Sequence, residues 1–114
     1  IVSRPSPDRL VLDAGSKTLS SDHARGLNTN RGFGAVLKTN AGNAINQNLT
    51  IERLSEEHAV VSVNGCENSL TVGQRVRLIP NHACVVMNLT DYVHFVDEDS
   101  LIETVRVDAR GKNY

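Results

Sequence analysis

Cysteine is scarce in this sequence: its 114 residues include only Cys66 and Cys84. Two cysteines are too few for a disulfide framework and suit the reducing cytoplasm, where we expect the protein to reside. A strong charge of one sign is also missing. Because the formal net charge is −1 and acidic and basic residues are interspersed, the sequence predicts no nucleic-acid or membrane partner.

Long apolar runs, a signal-peptide pattern, internal repeats and low-complexity segments are absent as well. No apolar run approaches the ~20 residues that a membrane-spanning helix needs. The length fits one domain with its own core. Because the chain starts at Ile1 rather than Met and runs into Arg4-Pro5-Ser6-Pro7, we expect a piece of a longer protein.

Short β-branched or alternating segments recur at nearly regular spacing. Seven of them are predicted to be strands: 8–13, 32–37, 49–54, 58–63, 74–79, 92–97 and 101–107. Residues 20–31 are polar and predict a long surface loop, whereas residues 85–89 fit either a strand or one helical turn. Seven or eight strands with almost no helical periodicity predict an all-β fold, an antiparallel barrel or sandwich.

A histidine and a cysteine lie two residues apart in Ile79-Pro80-Asn81-His82-Ala83-Cys84. In extended backbone they would project from the same face. Imidazole nitrogen and thiolate sulfur are ligands that zinc favours, and two of them would form part of an open site. Two alternatives remain: a half-buried strand end with a small apolar cysteine, or a redox-sensing thiol activated by His82.

Several motifs occur together in one order along the chain. They are Asp13-Ala14-Gly15-Ser16-Lys17, Glu57-His58, Val72-Gly73, the run from Val76 to Cys84, Asn88-Leu89, and Val107-Asp108-Ala109-Arg110-Gly111. This combination resembles the C-terminal domain of D-serine dehydratase-like and D-threonine aldolase-like enzymes. Those are metal-activated pyridoxal-phosphate enzymes of the alanine racemase fold. The resemblance covers essentially the whole chain.

The resemblance implies that the parent protein is a lyase acting on small β-hydroxy-D-amino acids and that it forms a homodimer. It implies that an N-terminal barrel, absent from this chain, carries pyridoxal phosphate and its lysine, so that the isolated chain is inactive. His82 and Cys84 match the metal ligands of the family, with Zn²⁺ expected and Mn²⁺ or Mg²⁺ as alternatives. The aldolase branch has an acidic residue in place of Cys84, which favours a dehydratase here, although hydroxyaspartate lyases share the pattern.

The family chemistry explains why such a site would need a metal. Pyridoxal phosphate acts as an electron sink for a carbanion at the α-carbon. A β-hydroxyl is a poor leaving group, and a Lewis-acidic metal that coordinates it lowers the barrier. Asn81 and Asn88 are candidates for orienting the ligands.

Other polar residues receive weaker roles. His58 matches the Glu57-His58 pair of the family and is the candidate catalytic residue. Lys17 is expected to be structural or to lie at a domain interface, since the cofactor lysine belongs to the barrel. Asp13 is expected to be a buried hydrogen-bonding residue, and Arg110 a surface salt-bridge residue.

The remaining candidates are assigned no function. Gly32-x-Gly34 lacks the pattern of a phosphate loop, and neither His23 nor His94 receives a role. Cys66 follows the tight-turn pair Asn64-Gly65. A stand-alone, non-catalytic β interaction or oligomerisation module is the alternative from a different class. It would be indifferent to metal, whereas a domain separated from its barrel would expose an apolar face.

Overall fold

A computed structural model describes residues 1–23, 32–39, 42–65 and 69–112. This part of the chain contains eight strands and two short helices. They are β1 (Ser3–Ser6), β2 (Arg9–Leu12), α1 (Ser16–Leu19), β3 (Ala35–Val36), β4 (Leu49–Leu54), β5 (Ala59–Val63), β6 (Leu78–Ile79), α2 (Ala83–Asn88), β7 (Tyr92–Asp97) and β8 (Ser100–Arg106). None of the helices described is long and apolar enough to cross a membrane.

The strands pair in three antiparallel sheets. The largest has the order β1-β2-β5-β4, and the two smaller sheets are the pairs β3-β6 and β7-β8. Leu10 lies opposite Val61 in the β2-β5 ladder, and a bulge interrupts the β4-β5 ladder between Ile51 and Arg53. The predicted all-β, antiparallel class is therefore confirmed.

The hydrophobic core lies on one face of the four-stranded sheet. In β5 the side chains of Ala59, Val61 and Val63 are buried, whereas the two residues between them are partly exposed, as the period of a strand requires. All of the buried apolar residues in the part described lie between positions 1 and 70. The segment from 71 to 112 therefore contributes no fully buried apolar side chain.

Two predicted strands are shorter than expected. The 32–37 segment forms a strand only over Ala35–Val36, and the 74–79 segment only over Leu78–Ile79. Gly32 and Gly34 have φ of 60° and 145°, which takes the chain out of strand geometry, and Gly32 instead forms an isolated bridge with Ile51. Pro80 follows β6 and has no N–H to extend the ladder.

Helix α1 was not predicted, because residues 14–16 and 20–31 have turn and loop composition. Its first turn is held by tertiary contacts: the Ser16 and Lys17 N–H groups donate to the carbonyl oxygens of Ser55 and Glu56, at 2.9 and 3.2 Å. A Cβ on Gly15 would lie 2.4 Å from both carbonyl oxygens. Glycine is required there because the two backbones approach so closely.

The β7-β8 hairpin agrees with the two strands predicted over 92–97 and 101–107. It forms a sheet of its own, in which every β8 residue is exposed. The large apolar side chains exposed on the hairpin are Tyr92, Phe95, Val96, Leu101, Ile102 and Val105. Three more, on or next to α2, are also exposed: Val85, Met87 and Leu89. An isolated two-stranded hairpin is at best marginally stable in water, so this one is suited to packing against a further surface.

Candidate metal centre

His82 and Cys84 lie at the start of α2 rather than at a strand end. His82 is the residue before the helix, with φ −139° and ψ 96°, and Cys84 is the second helical residue. The expectation that both side chains project from one face of extended backbone is therefore wrong, since the helix begins at Ala83. The two side chains nevertheless line one groove, whose other walls include Val107 and Ala109.

Asp22 contacts the His82 ring from a distant part of the sequence. The Nδ1 atom of His82 pairs with Oδ2 of Asp22, 60 positions earlier in the chain. The two side chains are 41% and 34% exposed, respectively, so the pair sits at the surface of the domain. Sequence reasoning missed Asp22, which lies in the polar 20–31 segment and has no local feature pointing to His82.

Asn81 holds the backbone around this pair. Its Nδ2 donates to the carbonyl oxygen of Asp22 at 3.0 Å and to that of Gly32 at 2.8 Å. Asn81 therefore binds the main chain of the residue that contacts His82, and its role in orienting metal ligands stays a prediction.

The position of Asp22 is also set from its N-terminal side. Ser20, which ends α1, is buried and has a φ of 65°. Its hydroxyl accepts a hydrogen bond from the Asp22 N–H at 3.3 Å. The neighbouring ring of His23 packs against Phe33 with a centroid separation of 4.3 Å. Asp22 is therefore fixed by α1, by Ser20 and by Asn81.

Asn88 shapes the other side of the groove. Its Oδ1 accepts a hydrogen bond from the Gly111 N–H at 2.5 Å, which ties the end of α2 to the turn after β8. Arg110 in that turn pairs with Asp91 at 2.9 Å, so its predicted role as a surface salt-bridge residue is confirmed. Asn88 thus positions the wall that contains Val107 and Ala109.

The donor set fits an open metal site. No group of three or more His, Cys, Asp and Glu side chains in the ranges described is arranged to hold a metal ion. His82 and Cys84 offer one imidazole nitrogen and one exposed thiol on a common groove. A closed structural zinc site needs four ligands. If these two donors held an ion, coordination positions would be left for water or substrate.

The hydrogen bonds described for His58 connect it to Ser55 and not to Asp22 or His82. It is exposed in the turn between β4 and β5, and its N–H donates to Ser55 Oγ at 3.2 Å. The catalytic role of His58 stays a prediction.

Lys17 has a structural contact, as predicted. Its ammonium donates to the Glu57 carboxylate at 2.5 Å, and this hydrogen bond raises the pKa of Lys17. A raised pKa is the opposite of what a nucleophilic lysine requires.

Asp13 is exposed, so the expectation that it is buried is wrong. It lies beyond the last residue of β2, where the chain turns towards α1.

His94 is not among the residues that line the groove. His94 pairs across the hairpin with Thr104, with 2.8 Å between Nδ1 and Oγ1. Cys66 lies outside the described residues, so its predicted turn position stays a prediction.

The fold and the site together define an antiparallel β-domain that carries a histidine and a cysteine on one groove. The chain belongs to the family described as "Putative serine dehydratase domain", whose model matches residues 1–96. An uncharacterised protein of Mycobacterium tuberculosis is 40% identical over 106 residues, covering 93% of this chain and 72% of that protein. The D-serine dehydratase of Dictyostelium discoideum is 31% identical, covering 86% of this chain and 25% of the enzyme.

The solved structures that share the fold include two lyases. The D-threonine aldolase from Filomicrobium marinum superposes with a TM-score of 0.76 at 23% identity, covering 99% of this chain and 27% of that one. The D-threo-3-hydroxyaspartate dehydratase from Delftia sp. HT23 has a TM-score of 0.73 at 18% identity, covering 94% and 30%. The chain thus spans less than a third of each of these enzymes. The resemblance recognised from sequence is confirmed.

Proposed function

We propose that this chain is the metal-binding domain of a lyase that uses pyridoxal phosphate and acts on small β-hydroxy-D-amino acids. The observation that carries the proposal is that His82 and Cys84 line one groove at the start of α2. The preferred ion is Zn²⁺, since imidazole and thiolate are its usual ligands, with Mn²⁺ or Mg²⁺ as alternatives. The preferred reaction is dehydration.

The chain's own contribution is to position the two donors. His82 and Cys84 would bind the ion, and when bound it would act as a Lewis acid toward the β-hydroxyl of the substrate. Pyridoxal phosphate would be held by a barrel, on the same polypeptide or on another, and would supply the electron sink. A cysteine that must stay available as a thiolate suits a reducing compartment such as the cytoplasm.

A solved enzyme that shares this fold has a metal-free form. A solved D-threo-3-hydroxyaspartate dehydratase, in which a cysteine is replaced by alanine, is in a metal-free form. That structure has a TM-score of 0.75 but is only 18% identical to this chain, so the likeness is one of fold. The metal is proposed here from the two donors that this chain itself presents.

The exposed apolar side chains of the β7-β8 hairpin support the proposal that a large protein partner binds there. Phe95, Leu101 and Ile102 are each more than half exposed on a two-stranded sheet that nothing in the described part of the domain covers. Exposed apolar patches of this kind mark protein–protein contacts. We propose that the barrel of the lyase covers this hairpin and brings its cofactor towards the groove, within a homodimeric enzyme.

Metal binding is the first test. The Zn²⁺ dissociation constant of the 114-residue chain would be measured by competition with a chromophoric chelator. We expect that His82→Ala and Cys84→Ala each abolish tight binding, whereas the matched controls His94→Ala and Cys66→Ala retain it. Equal affinity in all five proteins would rule out the ligand assignment.

The reaction is tested with the complete enzyme, including its barrel. It would be incubated with D-threonine, with and without a chelator, and the products identified. Chelator-sensitive formation of 2-oxobutyrate and ammonia would support a dehydratase. Glycine and acetaldehyde would show an aldolase instead, and turnover of a hydroxyaspartate alone would show that third activity.

A second candidate is a separate β module that acts without catalysis. The mycobacterial relative favours it: the 106 aligned residues make up 72% of that protein, which leaves no room for the ~250 residues of a typical eight-stranded βα barrel. If this chain is such a module, its thermal midpoint should not change with Zn²⁺ or chelator. A rise in the midpoint with Zn²⁺ that is lost in Cys84→Ala would exclude that candidate.

A further inference from the structure

The two nitrogens of the His82 ring can have different roles. Nδ1 is engaged by the Asp22 carboxylate, and His82 is one of the residues that line the groove with Cys84. A carboxylate only accepts hydrogen bonds when it is ionised, so this contact requires the hydrogen of the neutral ring to be on Nδ1. The lone pair of the neutral ring then lies on Nε2.

We propose that Asp22 is a positioning residue for His82, which holds the imidazole in the Nδ1–H tautomer and reserves Nε2 for a divalent cation bound with Cys84. The cation part of this inference rests on the proposed function. The tautomer part rests on the Asp22–His82 contact alone. A metal-binding histidine commonly donates its other N–H to a carboxylate, which fixes the ring and makes it a better ligand.

The surroundings of Asp22 suit this role. Its backbone is held on one side by Ser20 Oγ, at 3.3 Å from the N–H, and on the other by Asn81 Nδ2, at 3.0 Å from the carbonyl oxygen. Asn81 is the residue immediately before His82 in the chain. The same short segment therefore carries the ring and anchors the residue that orients it.

A purely structural role makes a different prediction. If the pair only ties the end of α1 to the start of α2, removing the carboxylate lowers stability and leaves the tautomer and the cation affinity per folded molecule unchanged. Tautomer and affinity therefore separate the two roles, while a melting curve does not.

The test compares Asp22→Asn and Asp22→Ala with the wild-type chain and with Asp13→Asn. The control makes the same chemical change at an exposed aspartate beyond β2. The tautomer of His82 would be read from ¹⁵N NMR of histidine-labelled protein. The Zn²⁺ dissociation constant would be measured by chelator competition, and circular dichroism would confirm that each variant is folded.

We expect wild type and Asp13→Asn to show the Nδ1–H tautomer. Asp22→Ala should shift His82 towards the Nε2–H form, and Asp22→Asn should give a mixture, because an amide both donates and accepts. Zn²⁺ should bind about 10–100-fold more weakly to both Asp22 variants. If Asp22→Ala fails to fold, Asp22→Asn, which is closest in shape, carries the test.

The outcomes separate this inference from the proposed function. An unchanged tautomer in the folded Asp22 variants, or unchanged Zn²⁺ affinity, would overturn the positioning role even if His82 and Cys84 prove to be ligands. A wild-type chain that binds no Zn²⁺, Mn²⁺ or Mg²⁺ would overturn the metal function and the cation part of the inference. The tautomer change would then still decide whether Asp22 orients the ring.

Discussion

The side-chain nitrogen of Asn81 lies 2.8 Å from the carbonyl oxygen of Gly32, 49 positions earlier in the chain. The same nitrogen also binds the carbonyl oxygen of Asp22. One amide group thus connects the segment before α2 to two points of the chain that are remote in sequence. This arrangement makes the geometry of the groove depend on contacts that no local pattern encodes.

Replacing Asn81 with alanine should therefore affect both stability and metal binding. Loss of the two hydrogen bonds should lower the free energy of unfolding by ~1–3 kcal/mol, measured by urea denaturation. Asp22 would also lose its anchor, so Zn²⁺ should bind more weakly. Asn43→Ala, at an exposed turn position, is the matched control and should change neither quantity appreciably.

Cys84→Asp should change the metal preference rather than remove binding. A carboxylate is a harder ligand than a thiolate, so affinity should shift from Zn²⁺ towards Mn²⁺ and Mg²⁺. The ratio of the Zn²⁺ and Mn²⁺ dissociation constants would be compared in the wild type, Cys84→Asp and Cys84→Ser. If the aspartate variant keeps the wild-type ratio, Cys84 does not contact the ion.

The packing of the core predicts a large effect at Ile51, whose side chain is 0% exposed. Ile51→Ala should lower the free energy of unfolding by ~2–5 kcal/mol, because it leaves a cavity between the strands. Ile102→Ala removes the same atoms from a side chain that is 67% exposed, and it should change stability by less than ~0.5 kcal/mol in the isolated chain. Similar effects at the two positions would contradict the assignment of the core.

The Lys17–Glu57 pair predicts the sign of one pH effect. The hydrogen bond to Glu57 raises the pKa of Lys17 above its ordinary value of 10.5, so the charged form is favoured in the folded state. The stabilisation is fully present below that value and is lost as the pH rises through the folded-state pKa. Lys17→Met should therefore destabilise the protein at neutral pH, and the difference from wild type should disappear at strongly alkaline pH.

That difference should also be small and should decrease with added salt. Both side chains are about two-thirds exposed, at 65% and 63%, so solvent screens the pair. Thermal melts of both proteins across the pH range, at low and high salt, would measure it. A difference that grows as the pH rises beyond 10.5 would contradict the sign.

His58 provides a test of the catalytic prediction. In the complete enzyme, His58→Ala should lower kcat and leave the Zn²⁺ dissociation constant unchanged, because its hydrogen bonds go to Ser55 rather than to the Asp22–His82 pair. His94→Ala, on the exposed hairpin, is the comparison and should have wild-type kinetics. Full activity of His58→Ala would remove it from the catalytic residues.

Much of the fold was predictable from local patterns. The strands β4 and β5 and the β7-β8 hairpin were found because alternation of apolar side chains is a property of the segment itself. Helix α1 has only four residues, and its first N–H groups bind the Ser55 and Glu56 carbonyl oxygens. Because these partners are remote in sequence, no pattern within the segment predicts the helix. Residues 85–89 were ambiguous because short apolar runs fit either element.

The sequence by itself determined the all-β class, the family, and the pair of residues suited to binding a metal, because periodicity, motif order and side-chain chemistry are local. Tertiary structure decided where those residues lie. It placed Cys84 within a helix, and it brought Asp22 to His82 across 60 positions of the chain. Such a contact depends on how α1, Ser20 and Asn81 fold around one another, and the side-chain period of a single segment cannot specify that.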